Sequence, residues 1–224
     1  MPHRPMFSDR RDAGRRLAEA LVQTPGIEPG GSLVVLGLPR GGVPVASEIA
    51  ERLEVPLDVL VVRKVGAPFQ RELAIGAVGE DHSIVVHLGV LDSVGVSLEA
   101  FETAASRELA EVERRARLYR GERGPVPLSG QTAIVVDDGL ATGATAEVAC
   151  HIARARGAAR LVLAVPVAPP ETVIRLRRAE VADELVCLLA PPEFRAVGEW
   201  YRDFAPTQDD EVSRILESVS PPPA

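Results

Sequence analysis

Twelve residues constrain this chain more than any other stretch: Ile134-Val135-Val136-Asp137-Asp138-Gly139-Leu140-Ala141-Thr142-Gly143-Ala144-Thr145. Gln131 to Val136 is a short run rich in β-branched residues, of the kind buried on both faces of a parallel sheet. It stops at two adjacent carboxylates, which repel each other unless a hydroxylic or cationic group lies between them, so a ligand sugar or a metal is their natural occupant. The small residues that follow let the backbone turn with successive N–H groups pointing inward. Thr142 and Thr145 add hydroxyl donors, and the next helix adds its positive end. The stretch reads as strand, acidic pair, anion cup and helix. The plainer alternative is a strand-to-helix turn with a solvated Asp pair.

The rest of the chain repeats this alternation. Ser8 is placed to cap a helix in which Ala13, Leu17, Ala20 and Leu21 recur at helical spacing until Thr24-Pro25-Gly26. Leu33 to Leu36 reads as a core strand that delivers a second constrained loop, Gly37-Leu38-Pro39-Arg40-Gly41-Gly42, ahead of a helix from Val43 to Leu53. Leu57 to Val62 is the next strand and ends in the cations Arg63 and Lys64. Small residues alternating from Phe69 onward predict a flap hairpin over about 66–90. A charged helix then starts at Ser97, with Leu98, Phe101, Ala105, Leu109, Val112, Ala116 and Tyr119 as its apolar stripe. After the central motif come a helix to Arg156, a strand at Leu161 to Val165, a helix at Glu171 to Arg178 and a strand at Glu184 to Leu189. The pattern predicts an α/β fold with an open, mainly parallel twisted sheet and helices on both faces. A C-terminal hood-like segment over about 190–220 holds Phe194, Trp200, Tyr201 and Phe204, for which the plainer of two readings is that they pack the helix Asp209 to Val219 onto the core, and Pro221-Pro222-Pro223 is expected to fray.

Of 224 residues 46% are hydrophobic, enough for one sizeable α/β core, so a single domain over 1–224 is expected. A net charge of -7 gives no general attraction to nucleic acid or anionic membranes, and the arginines from Arg107 to Arg120 interleave with Glu99 through Glu113 at salt-bridging spacings. Small-molecule partners follow. Cys150 and Cys187 sit among apolar neighbours and read as buried free thiols, which fits a cytoplasmic setting, and no run reaches the length of a signal core or a membrane span.

On these residues the chain resembles the type I phosphoribosyltransferases, as a bacterial branch of the family. The apolar tetrad, acid pair and Thr/Gly/Thr loop are similar to their motif for phosphoribosyl pyrophosphate (PRPP), and the order of elements fits from Ser8 to Leu189. The resemblance implies that Asp137 and Asp138 hold the ribose hydroxyls and that Ala141, Thr142, Gly143, Ala144 and Thr145 cradle the 5′-phosphate. It places pyrophosphate on Pro39, Arg40, Gly41 and Gly42, with Arg63 and Lys64 acting beside Asp137 and Asp138 in catalysis. Mg²⁺ would be bound through PRPP, with Asp137 and Asp138 within its reach. Phe194 matches the base-stacking position of hypoxanthine-guanine enzymes, although the spacing to Asp203 is at least one residue longer here. The implied activity is Mg²⁺-dependent transfer of 5-phosphoribosyl from PRPP to a purine or other nucleobase, in a cytoplasmic protein that is a candidate homodimer. The alternative is a PRPP- or nucleotide-sensing regulator with little turnover. His82 and His87 receive no role. The loop is neither a Walker loop nor a G-x-G-x-x-G, and a hydrolase elbow of the form G-x-S-x-G is missing.

Overall fold

The computed structural model describes residues 6–80 and 82–219, with Gln70 to Glu72 described by backbone alone. Asp81 of the flap and the run Pro221 to Pro223 lie outside the described residues. The first half of the chain forms α1 (Arg10–Val22), β1 (Leu33–Gly37), α2 (Gly42–Leu53), β2 (Leu57–Val59), β3 (Val62–Ala67), β4 (Gln70–Gly79), β5 (Ile84–Val86), α3 (Leu88–Val94) and α4 (Leu98–Arg120). The second half forms β6 (Thr132–Val136), α5 (Ala144–Ala155), β7 (Arg160–Val167), α6 (Pro170–Arg178), β8 (Glu184–Leu189) and α7 (Asp209–Val219).

Five parallel strands form the central sheet in the order β2-β1-β6-β7-β8. Their apolar runs are continuous because helices cover both faces. Val35, Ile134 and Val136 pack with Leu17, Ile49 and Leu53 on one side, whereas Val34, Leu36, Ala133 and Val135 meet Ala146, Ala149, Ile152 and Leu176 on the other. The chain leaves β1 through α2 towards β2, and leaves β6 through α5 in the opposite direction. The order therefore reverses between β1 and β6, the place where open α/β sheets bind ligands at strand C-termini.

Several expectations are corrected. The cap of α1 is Asp9, not Ser8: the Asp9 carboxylate accepts from Asp12 N at 2.8 Å, while Ser8 N donates to Asp12 Oδ2. The strand expected over Leu57 to Val62 breaks in two, since pairing with β1 ends at Val59 and Val62 already belongs to an antiparallel sheet β3-β4-β5. The flap is thus three-stranded, and Arg63 and Lys64 lie within its first strand, opposite Val78 and Ala77. Much of it is core: Val65, Ile75, Ala77 and Val78 are buried, and Phe69 at the β3–β4 turn is 67% exposed. In α4, Ser97 caps as expected, but Leu98 leaves the apolar stripe for solvent. Trp200 and Tyr201 do not pack α7; they bury against Phe7 at the other end of the chain, where the Phe7–Tyr201 bridge joins the two segments. Cys150 and Cys187 are free thiols, buried and half-buried.

A buried ion triad explains the break after β2. Arg120, read as part of a solvated face, is 6% exposed and its guanidinium meets Asp58 at 2.5 Å, Glu80 and the Val59 carbonyl at 2.6 Å. Asp58 also accepts from Val126 N at 2.9 Å, and Glu80 from Val61 N at 3.0 Å. With these bonds the buried charges are satisfied. Arg120→Ala should remove about 3–5 kcal/mol of stability, because two carboxylates then stay buried without their cation. Urea unfolding measures it, and a loss below about 1 kcal/mol would class the triad with exposed pairs and sink the assignment.

Candidate active site at the sheet switch point

Pairing of β1 with β6 ends at Gly37↔Val136, so the loops that follow the two strands emerge side by side. Leu38 N donates to Val136 O at 2.8 Å, and Gly42 N to Leu38 O at 3.0 Å. The contact admits only glycine. A Cβ on Gly41 would lie 2.0 Å from Asp138 Oδ2, and one on Gly42 would lie 2.4 Å from Val136 O. The Pro39–Arg40 peptide between them and β1 is cis.

The acidic pair is held by both ends of the chain. Asp138 N donates to Asp137 Oδ1 at 2.9 Å, and Tyr201 Oη donates to Asp138 O at 2.5 Å. Arg10, the first residue of α1, donates from Nε to Asp138 Oδ2 at 2.8 Å and from Nη1 to Ala205 O at 2.7 Å, and lies 4.0 Å above the Phe204 ring. Side-chain exposures of 12% and 15% make this a well-shielded ion pair. Burial, reinforced by the charge of Asp138, raises the Asp137 carboxyl well above the ordinary range. Burial also raises Asp138, but there Arg10 opposes it. Burial, with the Asp138 charge, pushes the Tyr201 phenol upward too, so it stays a donor.

The phosphate-sized loop is defined by where its backbone groups go. The carbonyl of Ala141 accepts from Thr172 Oγ1 at 2.7 Å, that of Thr142 from Arg175 Nη2 at 2.8 Å, and that of Gly143 from Glu147 N at 2.9 Å. Among the described residues the amides of Ala141, Thr142, Gly143 and Thr145 have no protein acceptor, and that of Ala144 reaches only the Thr142 hydroxyl at 3.4 Å. Gly143, at φ 73°, takes the left-handed conformation that swings the chain into α5. A run of unpaired amides ending on a helix N-terminus is an anion nest.

A cleft of about 540 Å³ beside this loop is lined by Thr142, Ala144 and Thr145 and, from the flap, by Arg63 and Lys64. The structure therefore forms two adjoining groups, with Asp137, Asp138, Gly41 and Gly42 in one and the loop with the flap cations in the other. Arg63 is ion-paired with Glu108 of α4. Arg40 points elsewhere, its Nη1 lying 3.9 Å from Asp209 Oδ1 of α7. His87 lines the cleft with its ring centroid 6.2 Å from that of His151, whose pKa is lowered by burial. His82 is exposed, 3.9 Å from Glu113. Trp200 and Tyr201 are buried, and Phe194 and Phe204 are half-buried, the Phe204 ring flanked by Tyr201 at 5.0 Å and Arg10 at 4.0 Å. Sequence reasoning missed Arg10, Tyr201, Thr172 and Arg175. Arg10 stands among charged residues at a helix start, 128 positions from its partner, and no local pattern marks it.

Among the described residues no group of three or more His, Cys, Asp or Glu is arranged to hold a metal ion. Two adjacent carboxylates, one already facing Arg10, fit a hard divalent cation only if a ligand supplies most of its oxygens. Among the described residues no helix is long and apolar enough to cross a membrane.

An open parallel sheet with an acid pair and an anion nest at its switch point, an antiparallel flap and a C-terminal hood has the architecture of a type I phosphoribosyltransferase. The chain belongs to the phosphoribosyl transferase domain family, which it matches over residues 8–182. It is 51% identical over 212 residues to a protein of Mycobacterium tuberculosis, provisionally named a phosphoribosyl transferase in two strains. That match covers 95% of this chain and 46% of the relative, so the chain spans less than half the relative's length. The crystal structure of TT1426 from Thermus thermophilus superposes with a TM-score of 0.86 at 44% identity, covering 96% of this chain and 99% of that one. The AQ2163 protein from Aquifex aeolicus, with a TM-score of 0.50 at 12% identity, covering 94% and 86%, shares the fold.

The raised Asp137 carboxyl sets a pH dependence. Its folded pKa lies above the ordinary 3.8, so its contribution to stability is intact below that value and is lost as pH rises through the folded pKa. Asp137→Asn keeps the shape without titrating. The melting temperature of the ligand-free variant should exceed that of the parent by a margin that widens as pH rises from about 4 towards neutrality. A margin that stays constant with pH would rule out a raised Asp137 carboxyl.

Proposed function

We propose that this chain transfers a 5-phosphoribosyl group from PRPP to a nitrogenous base, a purine or another nucleobase, with release of pyrophosphate. The observation that carries the reading is the loop of Ala141 to Thr145, whose carbonyls are bound behind it while its amides stay available for an anion. On this reading the 5′-phosphate sits on that loop and on the Thr142 and Thr145 hydroxyls. Asp137 and Asp138 take the ribose hydroxyls, and the backbone at Pro39 to Gly42 takes the pyrophosphate, with Arg40 exchanging Asp209 for the ligand. Phe194 offers its ring to the base. Mg²⁺, held mainly by PRPP oxygens and within reach of Asp137 and Asp138, would neutralise charge on the departing pyrophosphate.

The reaction breaks the bond from the anomeric carbon to the pyrophosphate oxygen, and that oxygen keeps the electron pair. The lone pair of the base nitrogen forms the new bond to carbon, and the base loses its N–H proton to solvent. Positioning and charge stabilisation are the protein's main contributions. Arg63 and Lys64, on a flap that covers the cleft, meet pyrophosphate charge as it develops and keep water from the oxocarbenium-like centre. The reading carries with it a cytoplasmic protein that pairs with a second copy of itself.

A second reading, a nucleotide sensor with little turnover, draws on Arg10, which already occupies an oxygen of Asp138. Incubating the protein with PRPP, Mg²⁺ and a panel of bases, and following pyrophosphate release, separates the two. Base-dependent release supports the transferase, and PRPP binding without release under any base supports the sensor. Lys64→Ala should lower turnover by about 10- to 100-fold while nucleoside 5′-monophosphate affinity changes about twofold at most, since the monophosphate lacks the group that this cation meets. Parallel loss of both, or of neither, would remove Lys64 from the chemistry.

A further inference from the structure

The loop that receives the phosphate in this reading is braced from behind by a second helix. α6 lies behind it, with Val173 and Leu176 buried and Thr172 6% exposed. A Cβ on Gly143 would approach Leu176 Cδ1 to 3.0 Å, Thr172 Cγ2 to 3.1 Å and Arg175 Nη2 to 3.5 Å, so helix and loop are in van der Waals contact. The start of α6 is fixed at Pro169, whose carbonyl accepts from Thr172 N at 3.0 Å and Val173 N at 3.2 Å.

Planarity of the peptide gives these contacts a consequence. In a trans unit the C=O and the N–H of the next residue point to opposite sides. Thr172 Oγ1, by binding Ala141 O at 2.7 Å, turns the Thr142 amide to the opposite side; Arg175 Nη2, by binding Thr142 O at 2.8 Å, does the same for the Gly143 amide. Arg175 also pairs through Nη1 with Glu147 Oε2 at 2.7 Å. Glu147 stands in the first turn of α5 and lines the cleft, where its charge would repel an incoming anion.

We propose that Thr172 and Arg175 are positioning residues for 5′-phosphate recognition: from behind the loop they aim two of its amides and offset the one acid in the first turn of α5. The proposal rests on the placement of the 5′-phosphate argued above. Neither side chain need touch the ligand.

Calorimetry with ribose 5-phosphate and, separately, with pyrophosphate plus Mg²⁺ tests it, because the first probes this loop and the second the backbone at Pro39 to Gly42. Thr172→Val should weaken ribose 5-phosphate on the order of tenfold and leave pyrophosphate unchanged, while Thr172→Ser keeps parental affinity for both. Arg175→Gln, at an exposed position, is two bonds too short to keep the donor to Thr142 O and loses the charge that faces Glu147, so it should weaken ribose 5-phosphate several-fold and show a reduced salt dependence. Unchanged ribose 5-phosphate binding in Thr172→Val and Arg175→Gln, or equal loss for both ligands, would overturn the proposal. A parent protein that binds no ribose 5-phosphate would instead overturn the placement of the phosphate on which it rests.

Discussion

Everything in the candidate site depends on the parallel pairing of β1 with β6. The register from Leu33↔Thr132 to Gly37↔Val136 brings two strands to their C-terminal ends at the same height, and their chains then depart in opposite directions. The gap that this opens is narrow. Gly41 and Gly42 fit into it against Asp138 and Val136 because they have no side chain, so the loop after β1 and the acids after β6 form one surface. Neither loop would present that surface alone. The hydrophobic runs that build the strands thus also decide where the polar groups meet.

The electrostatics of that surface follow from how little water reaches it. Two neighbouring carboxylates in a desolvated place are costly when both are ionised, and the structure limits the cost by giving Asp138 a cation from α1 and a phenol on its backbone carbonyl. The segments around Arg10 and Tyr201 are joined by the bridge at Phe7 and by Arg202 N donating to Phe7 O at 2.8 Å. The hood is accordingly a composite of both ends of the chain. Folding and site formation are coupled there, because Tyr201, which packs against Phe7, also donates to the Asp138 carbonyl.

What the sequence made legible was whatever repeats or breaks locally. Strands β1, β6, β7 and β8 stood out as apolar runs, the two loops as glycines beside charge, and α4 by its stripe and its Ser97 cap. Long-range electrostatics were not legible. Arg10 and Arg120 look like their solvated neighbours, and only the tertiary fold buries one against Asp138 and the other against Asp58 and Glu80. The break after β2 was hidden for the same reason, since Leu60 and Val61 continue the apolar run and remain buried while the chain changes sheets. The aromatics near Trp200 were visible as a group, but composition cannot say which element they pack against, and Phe7 lies nearly the whole chain away.

The Arg120 triad also fixes how the flap can behave. Val61 enters the flap and Glu80 leaves it, and both are tied at one point, through the bond from Val61 N to Glu80 Oε1 and the guanidinium that grips Glu80 and the carbonyl of Val59. Farther out, Val65 and Ile75 belong to the main core, and Phe69 at the outer turn reaches solvent. Mechanically this is a cantilever. The root is clamped, so a cation near it, such as Arg63 or Lys64, is held over the cleft more firmly than the outer turn is held at Phe69.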